Sequence, residues 1–264
     1  IARLPSYNQV GPVVIWLLGL FRLMQGVALG GAWDGLPSLL ALNAPEGSRG
    51  WYSMIPQLGA PLGLAVAAAL FAYFEALLIR EDFISWGWRY PFFVALAINV
   101  VALFARLRLV ATPEFQRLFE SRELQPSPPF ETLYAEWRTI LLGAFAPLAS
   151  FALFHLVTVF PLSYTQLFTE ANPVRFLLLT AFGALICVLA IMASGFVADK
   201  VGRRSVLGVS AALIGAYSGF APQLLGAGPF GEAAYMLGGF VLLGLAFGQS
   251  AGAVNSNFPT EHRY

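Results

Sequence analysis

Residues Gly195-Phe196-Val197-Ala198-Asp199-Lys200-Val201-Gly202-Arg203-Arg204 form a tight, charged turn between two long apolar runs, Val174 to Ala198 and Val206 to Leu225. Each run is long enough to cross a bilayer as a helix, which takes about 20 apolar residues. Glycine permits a tight turn, and a carboxylate suits the positive end of a helix. Arginine and lysine collect on cytoplasmic loops, so this turn reads as the inner connection between two membrane spans.

The rest of the chain repeats the pattern. Of its 264 residues 58% are hydrophobic and 11% charged, with a mean hydropathy of +0.71. A soluble domain carries about 25% charged residues. A soluble enzyme and a disordered segment do not fit this composition. A net charge of +1 leaves no basic footprint for nucleic acid. Cys187 is the single cysteine and has no partner for a disulfide; with only His155 and His262 no metal cluster or cofactor site is expected. The reading is an all-α polytopic membrane protein in the lipid bilayer. Seven spans are expected: Gly11 to Leu42 (with a possible kink at Pro37), Tyr52 to Ile79, Pro91 to Leu109, Ile140 to Leu167, Val174 to Ala198, Val206 to Leu225 and Ala233 to Gly252. The connections alternate between charged and short. Ten arginines and lysines fall on one side and four on the other, with Arg22 inside a span, which puts Ile1 outside and Tyr264 in the cytoplasm. Residues 110–138 form the longest connection, dividing three spans (1–109) from four (139–264). Pro113 through Glu123 could make a short surface helix there. The start at Ile1 is expected to lie inside a longer protein.

Ionisable groups inside spans are costly and mark functional candidates. Arg22 heads the run Arg22-x-x-Gln25-Gly26 and needs an anion from solute, water or another helix; the bland alternative is structural neutralisation. Asp34 lies twelve residues on, about 18 Å up the helix and about 120° round it, so the two make no direct pair. His155 in the fourth span could carry a coupled proton, since histidine titrates near neutral pH; the alternative is a hydrogen-bonded structural residue. Gln249 gives the last span a polar cytoplasmic end. Glycines four apart (26 and 30, 59 and 63, 215 and 219, then 244, 248 and 252) suit close helix packing. Asp199 is expected to latch onto the leading N–H groups around Gly50, Trp51 and Tyr52, with Arg203 or Arg204 holding its carboxylate.

The turn resembles the loop signature of the major facilitator superfamily, Gly-x-x-x-Asp-Arg-x-Gly-Arg-Arg/Lys. Arg22-x-x-Gln25-Gly26 is similar to a stretch of that superfamily's fourth helix. Gly30-Gly31-x-Trp33, Ala44-Pro45, Pro56-Gln-Leu-Gly-Ala-Pro-Leu-Gly63, Asp82-Phe83-x-Ser85-Trp86-Gly-Trp88-Arg89-Tyr90-Pro91 and Phe258-Pro259-Thr260 resemble its metabolite:proton symporter family, which includes proline/betaine, shikimate and dicarboxylate carriers. The resemblance implies a partial major-facilitator fold, helices four to ten of twelve drawn from two six-helix bundles. It implies a monomeric transporter of the inner (plasma) membrane, moving a small carboxylate or zwitterion with protons by alternating access. Arg22, Gln25, Trp33, Asp34, His155 and Gln249 are then candidates for solute or proton binding, and Asp199, Gly202, Arg203 and Arg204 for gating. The family's Gly-Gly-Glu-Trp-Gly-Gly is Gly30-Gly31-Ala32-Trp33-Asp34-Gly35 here, which moves the acid about 200° round the helix. A non-transporting sensor or channel-like protein of the same fold is the competing reading.

Overall fold

The computed structural model describes residues 3–5, 7–33, 40, 44–110, 133–168 and 172–255. Those residues are helical with short turns and contain no strand. We label the principal helices α1 (Val13–Trp33), α2 (Arg49–Met54), α3 (Gly59–Leu77), α4 (Tyr90–Val110), α5 (Trp137–Phe145), α6 (Leu148–Phe168), α7 (Pro173–Val201), α8 (Arg203–Gly219), α9 (Ala221–Gly226) and α10 (Gly228–Asn255). A single 3-10 turn, Ile55–Leu58, carries α2 into α3. Asp34, Pro37, the 113–123 segment and the Phe258-Pro259-Thr260 run lie outside the described residues.

Five stretches are long and apolar enough to cross a membrane: Arg49–Leu77, Gly87–Ala105, Trp137–Tyr164, Pro173–Val201 and Gly228–Val254. They coincide with five of the seven expected spans. In the first expected span the apolar helix that qualifies by composition is the shorter Val13–Leu29. The sixth, expected unbroken from Val206 to Leu225, is divided at Phe220 into α8 and α9. Pro222 has no N–H to give the Ser218 carbonyl, so it ends one helix and is accommodated in the first turn of the next. Pro147 divides α5 from α6 by the same physics.

α7 is the centre of the molecule. It packs most extensively against α10, next against α3, and at its C-terminal end against α2. The α7–α10 contact is close because glycines line it. A Cβ on Gly244 would stand 2.6 Å from the Cys187 carbonyl oxygen, and one on Gly248 would collide with the Ser194 hydroxyl. Around this contact Ile191, Ala184, Val157, Met236 and Phe240 are fully buried. The other expected glycine pairs behave differently: Gly26, Gly59, Gly63, Gly215 and Gly219 have nothing within 4 Å of where a Cβ would be. α1 is largely exposed, with Trp16 at 81% and Val27 at 73%.

Candidate functional site

Two features sit along α7, one at its end and one at its middle. From Arg175 to Asp199 the helix rises about 36 Å, with Cys187 halfway.

The end feature begins with an incomplete helix. Arg49–Met54 opens with Ser48 at its N-cap position, yet the Ser48 side chain makes no capping hydrogen bond. Its leading N–H groups therefore need acceptors from elsewhere. Asp199 supplies both: Gly50 N–H donates to Oδ1 at 2.6 Å and Trp51 N–H to Oδ2 at 3.1 Å. The expected contact between this loop and the start of the second span is made. It is possible because Gly50 and Gly195 have no side chains. A Cβ on Gly50 would lie 2.8 Å from Asp199 Oδ1 and 3.0 Å from the Gly195 carbonyl. Trp51 packs against Phe196 with ring centroids 4.2 Å apart and the rings tilted by 36°.

Of the two arginines expected to hold the carboxylate, Arg203 directs its hydrogen bonds elsewhere: its guanidinium spans two backbone carbonyls, Gly252 at 3.2 Å and Arg49 at 2.7 Å. It thereby ties the end of α10 to the start of α2. Burial lowers the Arg203 pKa, the Asp199 charge raises it again, and Arg49 adds to the lowering. Gly202 turns the chain between α7 and α8 with φ at +86°, a conformation that suits glycine. Arg204 is exposed on the first turn of α8.

Gln249 is wholly buried in the same seam. Its Nε2 donates over 3.4 Å to the Gly50 carbonyl and over 3.3 Å to Ser194 Oγ, while Oε1 has no hydrogen-bond partner among the described residues. Its neighbours are those of a seam residue and it does not line the central cavity.

The middle feature is a cavity of about 270 Å³ lined by α1 and α3 on one side and α6, α7 and α10 on the other. α1 contributes Leu29; α3 gives Ala60, Pro61 and Leu64; α6 gives Ser150, Phe151, Phe154 and His155; α7 gives Cys187; α10 gives Phe240, Leu243 and Phe247. His155 is the ionisable candidate that reaches it. Its Nδ1 lies 2.9 Å from the Phe151 carbonyl, one turn back on the same helix. Arg22 and Gln25 do not line the cavity. They lie exposed on α1, with Arg22 Nη1 3.5 Å from Gln25 Oε1. Trp33 closes α1, and its side chain and Asp34 lie outside the described residues.

The aromatic lining was not singled out from the sequence, although its signal is there. Phe151, Phe154 and His155 follow i, i+3, i+4 spacing, and Phe240, Leu243 and Phe247 follow i, i+3, i+7, so each set shares one helix face. At the far end of α7, Arg175 Nη1 meets Glu232 Oε2 at 2.6 Å, a bridge to α10. No grouping of His, Cys, Asp and Glu that could hold a metal occurs among the described residues.

The family model described as Major Facilitator Superfamily matches residues 7–263. The chain is 35% identical over 275 residues to the inner membrane metabolite transport protein YhjE of Escherichia coli (strain K12), covering 100% of this chain and 61% of that protein. It is 30% identical over 223 residues to the shikimate transporter of the same organism, covering 83% of this chain and 50% of that one. To the proline/betaine transporter of Salmonella typhimurium it is 28% identical over 277 residues, covering 100% of this chain and 55% of the relative. The chain thus spans about three fifths of the length of the curated relatives it matches. No solved structure matches it.

Proposed function

The chain belongs to the major facilitator superfamily, and we propose that it forms the central part of a proton-coupled secondary transporter for a small carboxylate or zwitterionic metabolite. The observation that carries this reading is the pairing of a cavity at mid-span with a hydrogen-bonded seam at one end of the same helix. A carrier needs both, since solute must be reached from one side at a time. With Asp199 on the start of α2, the two groups of helices are held together at the end bearing the charged loops. Loss of that contact frees them to part there. The relatives named for metabolite, shikimate and proline/betaine transport support a small organic solute, and the name of YhjE supports the inner membrane. In this reading the charged loops face the cytoplasm, the protein works as a monomer, and residues 1–109 and 139–264 belong to separate bundles joined by 110–138. Arg22, Gln25, Trp33 and Asp34 are kept as solute-binding candidates on the first bundle, where the solute's charge would find them.

Uptake into proteoliposomes tests the reading. Labelled benzoate, proline and glycine betaine are offered with and without an inward proton gradient. Gradient-dependent accumulation of one of them is expected. Downhill flux that no gradient can concentrate would mark a channel, and no flux of any solute would mark a sensor.

A further inference from the structure

The cavity is chemically one-sided. Its wall is made of phenylalanine, leucine, alanine and proline side chains, relieved by His155, Ser150 and Cys187. Among its described lining residues there is no Asp, Glu, Lys or Arg. Of those residues, His155 is the one that can supply a positive charge to a bound anion.

The hydrogen bonding of His155 says which atom is available. A backbone carbonyl only accepts, so the Nδ1 that sits 2.9 Å from the Phe151 carbonyl carries a proton. Nε2 is left as the nitrogen that gains or loses a proton. When neutral, Nε2 offers a lone pair, and a carboxylate is repelled. When protonated, it offers an N–H to a carboxylate and supplies the missing positive charge.

Resting on the proposed transport function, we propose that the solute is a compact monocarboxylate with an apolar body, co-bound with a proton held at His155 Nε2. Its ring or alkyl group packs against Phe151, Phe154 and Phe247, and its carboxylate takes the Nε2 hydrogen. The volume of about 270 Å³ lies just below the range of pockets for drug-sized ligands, so one small ring fits the scale. A quaternary ammonium group is the competing ligand for phenylalanine walls. It would be attracted to the ring faces, yet would enter a site with no carboxylate among its described lining residues and a histidine that repels it when charged. A polyhydroxylated body would leave its hydroxyls without partners in such a wall.

Among the described residues Cys187 is the other titratable group in the lining, and Arg22 stands two turns from Leu29 on the same face of α1, about 10.5 Å along its axis. Cys187 shares the cavity as a thiol. On the helices around it, Glu75 lies eleven residues after Leu64, and Tyr235 five before Phe240 with its hydroxyl donating to the Leu156 carbonyl. Arg175, Glu232, Asp199 and Lys200 occupy the helix ends.

The test is binding to purified intact protein in detergent, by calorimetry, with benzoate, benzyltrimethylammonium and proline as probes. Benzoate is expected to bind best and to weaken at least tenfold between pH 6 and pH 8, with proton uptake approaching one per benzoate at pH 8. His155→Gln is expected to bind benzoate at pH 6 no better than the unaltered protein does at pH 8, and with no pH dependence. The proton-uptake measurement needs no variant, so it stands even if His155→Gln fails to fold. Tighter binding of the cation or of proline, absence of proton uptake, or an unchanged pH dependence in His155→Gln would overturn the inference. Gradient-driven uptake of proline with benzoate inert would sink this inference and leave the transport reading intact. Benzoate binding with proton uptake but no flux of any solute would do the reverse.

Discussion

α7 has two interfaces, and they are built differently. Against α10 it is closed where Gly183, Gly244 and Gly248 let the helices approach, with apolar side chains interdigitating around them. Against α2 and α3 it is tied at one end by hydrogen bonds and opens at its middle into the cavity. The first kind of contact is costly to open anywhere, because each step exposes close-packed surface. The second is held by a few directional bonds at one place, which can be made or lost together. In the proposed carrier, helices that share a bundle need the first, and bundles that must part need the second.

The sharpest way to break this comparison is to overpack the first interface. In Gly244→Leu even the first side-chain carbon meets the Cys187 carbonyl oxygen at 2.6 Å and the Ala190 Cβ at 2.6 Å, and the backbone cannot yield. The expected cost is at the upper end of overpacking, about 3 kcal/mol, read as a lowered unfolding temperature in detergent. A variant as stable as its parent would mean that the α7–α10 contact is not the fixed one.

Gly50→Val applies the same change to the second interface, with a different expected result. Its Cβ would lie 2.8 Å from Asp199 Oδ1 and 3.0 Å from the Gly195 carbonyl, so the seam opens while each group of helices stays folded. The reporter is a thiol at position 53, where Ser53 is fully buried, in a protein whose Cys187 is replaced by alanine. Its modification rate is expected to rise about a hundredfold, the upper range of an overpacking penalty expressed as an open/closed ratio. Loss of folded protein instead would place this seam in the same class as the first.

Asp199→Asn is milder. The amide keeps one acceptor oxygen and loses the charge that faces the N–H groups of Gly50 and Trp51. A loss of about 1.4 kcal/mol shifts the ratio tenfold, which the same thiol should report. An unchanged rate would show that Arg203, through the Arg49 and Gly252 carbonyls, holds the seam alone.

Much of this architecture is legible in the sequence, and the reasons are physical. Length and hydropathy locate spans because a bilayer forces the backbone to satisfy itself within each helix. The Asp199 contact is legible because an acid on a short loop and an uncapped helix start have few other ways to be satisfied. The breaks at Phe220 and before Pro147 could have been read from Pro222 and Pro147, but averaged hydropathy hides a single missing N–H. The division of labour among the glycines is not legible at all: the same spacing recurs at residues 215 and 219, where nothing approaches, and at 244 and 248, where α7 does. Spacing states that a close approach is allowed, and only the partner helix decides whether it happens.

Gln249 gives the smallest expected effect and the finest test of how the seam is held. Its burial and its two donated hydrogen bonds make it look like a strut between α10, α7 and α2. Both bonds are long, at 3.4 and 3.3 Å, and Oε1 is buried without a partner among the described residues. An unpaired buried acceptor costs about 1–3 kcal/mol, while a typical hydrogen bond contributes about 0.5–1.5 kcal/mol. The orphaned oxygen therefore offsets what the amide nitrogen supplies. Gln249→Met keeps the length and flexibility of the side chain and removes both polar atoms together. Ser194 Oγ retains its own bond to the Ile191 carbonyl at 2.7 Å, and the Gly50 carbonyl, which accepts from Ser53 Oγ at 3.1 Å, keeps the weaker S–H donor of the reporter thiol in that place. The thiol at position 53 should react at the parent rate or up to a few times more slowly, opposite in sign to Asp199→Asn. A tenfold faster reaction would make Gln249 a second latch and spread the holding of the seam over both of its ends.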